Sequence, residues 1–197
     1  MTDTSKEVLY LASKNKHKLE ELTAMIGSDF EVRLCTELDP EISWEETGDT
    51  FAANAKIKAD AVRRLTDCAV LADDSGLEVA SLGGAPGVYS SRYAGTDGDD
   101  AANNRKLLKE LDGVNQREAR FVCCLAYVAK DGDTKVFEGY CGGRIIEEAR
   151  GQHGFGYDPL FAVGGGDRTL AEYSAQEKNT ISHRKRALEA FCAEVLG

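Results

Sequence analysis

Asp73 and Asp74 stand side by side in the stretch LADDSGLEV, after an apolar run and directly before Ser-Gly. Aspartate is a poor strand former, and adjacent carboxylates repel one another. A doubled negative charge at the end of a buried strand therefore asks for a cation. Magnesium is the natural one, because it takes only one or two protein carboxylates and completes its shell with water and phosphate oxygens. A second acidic pair, Glu45 and Glu46, lies upstream in SWEETGDTF and can add a ligand.

Two cationic clusters answer the acids. Lys14, Lys16, His17 and Lys18 in SKNKHK fall where a first strand turns into a first helix. His183, Arg184, Lys185 and Arg186 in SHRKR fall in the first turn of the last helix. Helix N-termini carry partial positive charge and normally collect Asp or Glu, so each cation costs a few tenths of a kcal/mol unless an anion binds there. Exposed backbone N–H groups backed by lysines suit phosphate. Two such clusters in an acidic chain point to a polyanion such as a triphosphate, with Mg²⁺ between it and the carboxylates. Lys58 and Arg92 could add charge.

A third feature, HGFGYDPLF from His153 to Phe161, flanks aromatics with glycines and adds an aspartate. Glycines admit close backbone approach, and Phe155 or Tyr157 offers a face on which a base can stack. The spacing GQHGFG is not a dinucleotide-binding fingerprint, and no P-loop motif is present. The six cysteines are scattered without a C-x-x-C pair, which argues for reduced thiols and against a zinc site. No Ser-His or Cys-His nucleophile pair is evident.

These residues need a scaffold. At 197 residues the chain is long enough for one domain, 1–197, with a full core. A net charge of −10 disfavours nucleic acid and anionic membranes as partners. No apolar run reaches the roughly 20 residues of a membrane span. The N-terminus lacks the pattern of a signal peptide, so a cytoplasmic location is expected. Val8–Ser13 reads as a buried strand, Asn15–Ile26 as a helix, Phe51–Leu65 as a helix capped by Thr50, and CAVLADD as a strand ending on the acids. Asn103–Leu111 reads as helical. Two later strands flank a turn at Lys130–Asp133, and one amphipathic helix from about Ser182 to Leu196 closes the chain. Alternation followed by direct strand pairing predicts an α/β fold with a mixed sheet.

Five motifs in register over nearly the whole chain carry a resemblance: SKNKHKLEEL, EETGDTFAANAKIKA, LADDSGLEVASLGGAPGVYSSRYAG, HGFGYDPLF and EKNTISHRKRAL. Together they resemble the noncanonical purine nucleoside triphosphate pyrophosphatases, the inosine triphosphate pyrophosphatase or XTP/dITP diphosphatase family. That resemblance implies a mixed twisted central sheet flanked by helices, two lobes with a nucleotide cleft between them, a homodimer and Mg²⁺. It implies hydrolysis of ITP, dITP and XTP to the monophosphate and pyrophosphate. By resemblance, Ser13, Lys14, Asn15, Lys16, His17 and Lys18 cradle the triphosphate with Lys58. Glu45 and Asp74 hold the metal, Asp74 also accepts a proton, and Ser75 touches substrate. Phe155, Gly156, Tyr157, Asp158, Lys178, His183 and Arg184 hold and read the base. Where many members carry Thr-Gly-Asn, this chain carries Ser13-Lys14-Asn15, and alignment alone leaves Glu45 and Glu46 as alternative ligands.

The expected chemistry is direct attack of water on the α-phosphorus, with lysines stabilising the departing pyrophosphate. A 6-oxo purine satisfies buried donors that adenine's 6-amino group cannot, so ITP and XTP are expected to outrank ATP. They are expected to outrank GTP as well, which keeps the 6-oxo group and whose rejection calls for a feature hostile to its 2-amino group. Two other classes stay open. A Maf-type pyrophosphatase would act on other modified nucleotides, and a non-catalytic nucleotide-binding module would bind without turnover.

Overall fold

The computed structural model describes residues 6–197. In chain order the elements are β1 (Glu7–Leu11), α1 (Lys16–Ile26), β2 (Phe30–Leu34), α2 (Phe51–Arg63), β3 (Ala69–Val79), α3 (Asp100–Glu110), β4 (Glu118–Val128), β5 (Thr134–Ile145), β6 (Phe161–Val163), α4 (Ala175–Ile181) and α5 (His183–Val195). Six strands form one sheet in the order β2-β1-β3-β4-β5-β6. β1 runs parallel to both β2 and β3, whereas β6 pairs antiparallel with β5. The mixed α/β sheet expected from the alternation is the one observed.

Local chemistry explains where the helices begin. Asn15 caps α1, its side-chain oxygen accepting the N–H of His17 at 2.9 Å and of Lys18 at 3.4 Å. Thr50 caps α2 by accepting the N–H of Ala53 at 3.1 Å. α1 has no acidic residue in its first turn, as the sequence predicts. Its buried face is Leu22 and Ile26, and α2 buries Phe51, Ala55, Ala59 and Val62.

Two expectations change, and two elements appear that the sequence did not suggest. β3 does not stop at the acids but continues to Val79, so Asp73 and Asp74 lie mid-strand. The expected closing helix is present as α5, and a short helix that the sequence did not suggest, α4, precedes it; Ser182, whose extended ψ of 157° breaks the helical ladder, divides the two. α3 begins three residues early, at Asp100, because Asp99 accepts the N–H of Ala102 and supplies the cap. The short strand β2, with only Phe30 fully buried, carries too little pattern to be read from sequence.

The chain divides into two compact units interleaved along the sequence. The first comprises 1–74, 124–138 and 187–197; the second comprises 75–123 and 139–186. The first unit packs Tyr10, Ala12, Cys35, Ile42, Val70, Ala72 and Val128 against Ala55, Ala59 and Val62 of α2. Phe191, fully buried, adds edge contacts to Tyr127 at 5.2 Å and Phe137 at 5.6 Å between centroids. The second unit has its own core, in which Leu107 and Leu111 meet Leu77, Val79, Phe121, Tyr157 and Phe161. All six cysteines are free thiols, four of them buried. Among the described residues no helix is long and apolar enough to cross a membrane.

Candidate active site

In the first unit the acids find lysines. Lys18 Nζ lies 2.5 Å from Asp73 Oδ1, and Lys58 Nζ lies 2.5 Å from Asp74 Oδ1. Lys58 also reaches Glu46 Oε1 at 2.6 Å, so one ammonium bridges the acidic loop and the strand. Asp73, Asp74 and Lys58 are all buried. This explains why β3 can run through two adjacent aspartates: their charges are met by side chains 55 and 16 residues away. Glu45 is exposed, while its neighbour Glu46 is the one turned onto Lys58.

The balance in this cluster is uneven. Three carboxylates, on Glu46, Asp73 and Asp74, face two ammoniums, on Lys18 and Lys58. Burial pushes the Asp74 carboxyl above the usual carboxylate range; Lys58 and Lys18 pull it down, and Glu46 adds to the rise. Burial alone would lower the Lys58 ammonium, but Asp74 and Glu46 outweigh it and leave it raised. A partly compensated, buried set of carboxylate oxygens is hard-cation chemistry.

Close by in sequence, Asn54 is fully buried on α2, one turn before Lys58. Its side-chain oxygen accepts the N–H of Gly48 at 2.8 Å and so fastens the EETG loop. Its Nδ2 has no hydrogen-bond partner. A buried orphan donor is costly, at about 1–3 kcal/mol, unless an acceptor arrives. Phosphate oxygens and the waters of a hydrated cation are such acceptors. Among the described residues no three His, Cys, Asp or Glu side chains form a cage for a bare ion. Asp74 and Glu46 are the carboxylates that could serve a partly hydrated hard cation, which needs only one or two from the protein.

Ser13 to Lys18 form the connection from β1 into α1. Ser13 is buried and its hydroxyl accepts the N–H of Asn15 at 3.1 Å. Lys14, Lys16 and His17 are exposed, whereas Lys18 is turned onto Asp73. Among the described residues only glycines have positive φ, so Lys14 carries no left-handed strain in this loop.

The second unit holds the other group of sequence-predicted residues. Lys178 Nζ pairs with Asp158 Oδ2 at 2.7 Å, both side chains buried, and lies 4.8 Å from the centre of the Phe155 ring. Asp158 Oδ2 also accepts the N–H of Phe155 at 3.0 Å. Gly154, at φ 76°, packs so closely here that a Cβ would fall 2.0 Å from Asp158 Oδ2. The Tyr157 hydroxyl donates to the carbonyl of Ser90 at 2.8 Å, which commits that ring to the core. Phe155 is only half-buried, and of the two aromatics it is the one left to stack on a ligand.

His183 and Arg184 open α5. The His183 imidazole stacks on Phe121 at 5.0 Å with ring planes 14° apart. Arg184 is almost fully buried, and its Nη2 lies 3.4 Å from the hydroxyl of Ser75. Ser75 follows Asp74 directly in the sequence.

The sequence-predicted residues thus gather into two groups, one per unit. Glu46–Lys58–Asp74 with Lys18–Asp73 forms the first, and Asp158–Lys178–Phe155 with His183, Arg184 and Ser75 forms the second. Sequence reasoning missed Asn54, Phe121, Asp100 and Asn104. For Asn54 the helical spacing to Lys58 was an available signal; the others had none.

Comparison with known proteins supplies a third line of observation. The profile of the Ham1 family matches residues 9–194. The dITP/XTP pyrophosphatase of Bacillus licheniformis is 51% identical over 193 residues, covering 95% of this chain and 97% of that one. The protein of the same name from Bacillus subtilis is 47% identical over 91% of this chain and 92% of its own length. Among solved structures, the Staphylococcus aureus Ham1 protein superposes with a TM-score of 0.87 at 42% identity, covering 95% of this chain and 97% of that one. A HAM1 protein from Coxiella burnetii gives 0.85 at 41%, with the same coverage.

Proposed function

The chain belongs to the Ham1 family, and from that premise we propose that it hydrolyses noncanonical purine nucleoside triphosphates, among them ITP, dITP and XTP, to the monophosphate and pyrophosphate. The observation that carries the reading is the buried Lys58 bridge between Glu46 and Asp74, set beside the Lys18–Asp73 pair. Such a cluster has no structural need of its own, since a buried ion pair is weak support for stability. It suits a metal–triphosphate, in which carboxylates meet the cation and ammoniums meet phosphate oxygens.

In this reading Asp74 and Glu46 hold Mg²⁺, with Glu46 taking the place that the family resemblance gave to Glu45. Bound there, Mg²⁺ supplies charge neutralisation at the phosphate oxygens. Asp74 orients a water and accepts its proton as the water attacks the α-phosphorus. Lys18 and Lys58 then stabilise the negative charge that develops on the departing pyrophosphate. The cations of Ser13–Lys18 hold the phosphates, and Phe155, Lys178, His183 and Arg184 hold the base. A cytoplasmic homodimer belongs to the same proposal; the exposed Tyr89 and Tyr140 rings are candidates for its interface.

A nucleotide panel assayed for pyrophosphate against orthophosphate tests the proposal. ITP and XTP are expected to release pyrophosphate with Mg²⁺, and EDTA is expected to abolish the release until Mg²⁺ is restored. Orthophosphate as the product, or undiminished turnover in EDTA, would contradict it.

A further inference from the structure

We propose that Asp100 and Asn104, on one face of α3, are positioning residues that set base selectivity by clamping the peptide of Gly156. The two side chains are one helical turn apart and take hold of the same residue. The Gly156 N–H donates to Asp100 Oδ2 at 2.7 Å, and Asn104 Nδ2 donates to the Gly156 carbonyl at 2.9 Å. Gly156 has φ 64°, the left-handed region, and glycine has easy alternatives on both sides of φ. Nothing in its own stereochemistry holds this conformation, so the hold must come from outside the loop.

α3 is a firm anchor for that purpose. Leu107 and Leu111, its last turn and cap, sit in the core of the second unit. Between the clamping residues, the buried Asn103 accepts the N–H of Ala94 at 2.7 Å and donates to the carbonyl of Ser91 at 3.0 Å.

The clamp decides which groups remain for a base. The N–H groups of Phe155 and Gly156 are both spent on carboxylates, Asp158 and Asp100. Neither can turn to meet a mismatched base edge, so readout falls to the side chains of Lys178, His183 and Arg184. Freed from α3, the Gly156 peptide can rotate, turn its carbonyl toward a 6-amino group and carry Phe155 out of place. Binding of the right base weakens and rejection of the wrong one is lost together.

The inference rests on the proposed function, and kinetics of D100A, N104A and D100N on ITP and ATP test it. D100A and N104A are expected to raise KM for ITP about tenfold with a smaller change in kcat, and to lower the ITP-to-ATP ratio of kcat/KM about tenfold. D100N keeps an acceptor oxygen for the Gly156 N–H and is expected to restore most of both. Thermal melting checks folding; should D100A fail to fold, N104A decides. Wild-type KM and ratio in a folded variant would overturn the clamp, as would a fall in activity with the ratio unchanged. A wild-type protein that releases no pyrophosphate from ITP would overturn the function it rests on, and the clamp with it.

Discussion

Replacing Asp74 with asparagine is expected to lower turnover of ITP by a hundredfold or more while the protein stays folded. The magnitude follows from the role: a positioned general base contributes roughly 10²–10⁴-fold, and an amide cannot accept the proton. Asparagine keeps the volume and an acceptor oxygen for Lys58. Lys58 also retains Glu46 at 2.6 Å, so the ammonium is not left buried and unpaired. Loss of activity through collapse of the cluster is therefore not expected, and an unchanged melting temperature would show as much. Pyrophosphate release measured at saturating ITP reads the effect on kcat. A rate near that of the wild type would remove Asp74 from the proton-transfer step.

ITP is expected to exceed ATP in kcat/KM by about three orders of magnitude. Lys178, His183 and Arg184 are buried, and each is a donor or can become one. A 6-oxo purine offers them an acceptor, whereas adenine presents a 6-amino donor at the same place. Each hydrogen bond from such a donor that adenine cannot accept forfeits about 1–3 kcal/mol. Two such losses amount to roughly 2–6 kcal/mol, or about 30-fold to 10⁴-fold at 1.4 kcal/mol per decade. The Gly156 carbonyl, an acceptor that the 6-amino group could use, already takes the Asn104 amide at 2.9 Å. Initial-rate kinetics on the two nucleotides measure the ratio. Comparable efficiency on ATP would contradict this account of the base pocket.

What could be read from the sequence was local. The caps at Asn15 and Thr50 act over two or three residues, and both helices start where those caps place them. The reversed charge at the start of α1 was legible for the same reason. The strand through Asp73 and Asp74 was not, because the lysines that permit it lie far along the chain and no propensity reports them. The same distance hid the choice between Glu45 and Glu46: identical side chains in one loop, separated only by which one meets Lys58. The closing helix was legible from its apolar spacing, whereas α4, only 7 residues long, was too short to carry a readable pattern. Asp100 and Asn104 match no motif, and their meaning appears only when Gly156, 56 and 52 residues on, is brought to them.

Hydrolysis of ITP in ¹⁸O-labelled water with Mg²⁺ tests the central claim most directly, because the fate of the label names the atom attacked. Water directed at the α-phosphorus places ¹⁸O in the monophosphate and leaves the pyrophosphate unlabelled. Label in the pyrophosphate, with the monophosphate unlabelled, would mean that the acid–lysine cluster directs water elsewhere and would contradict the account.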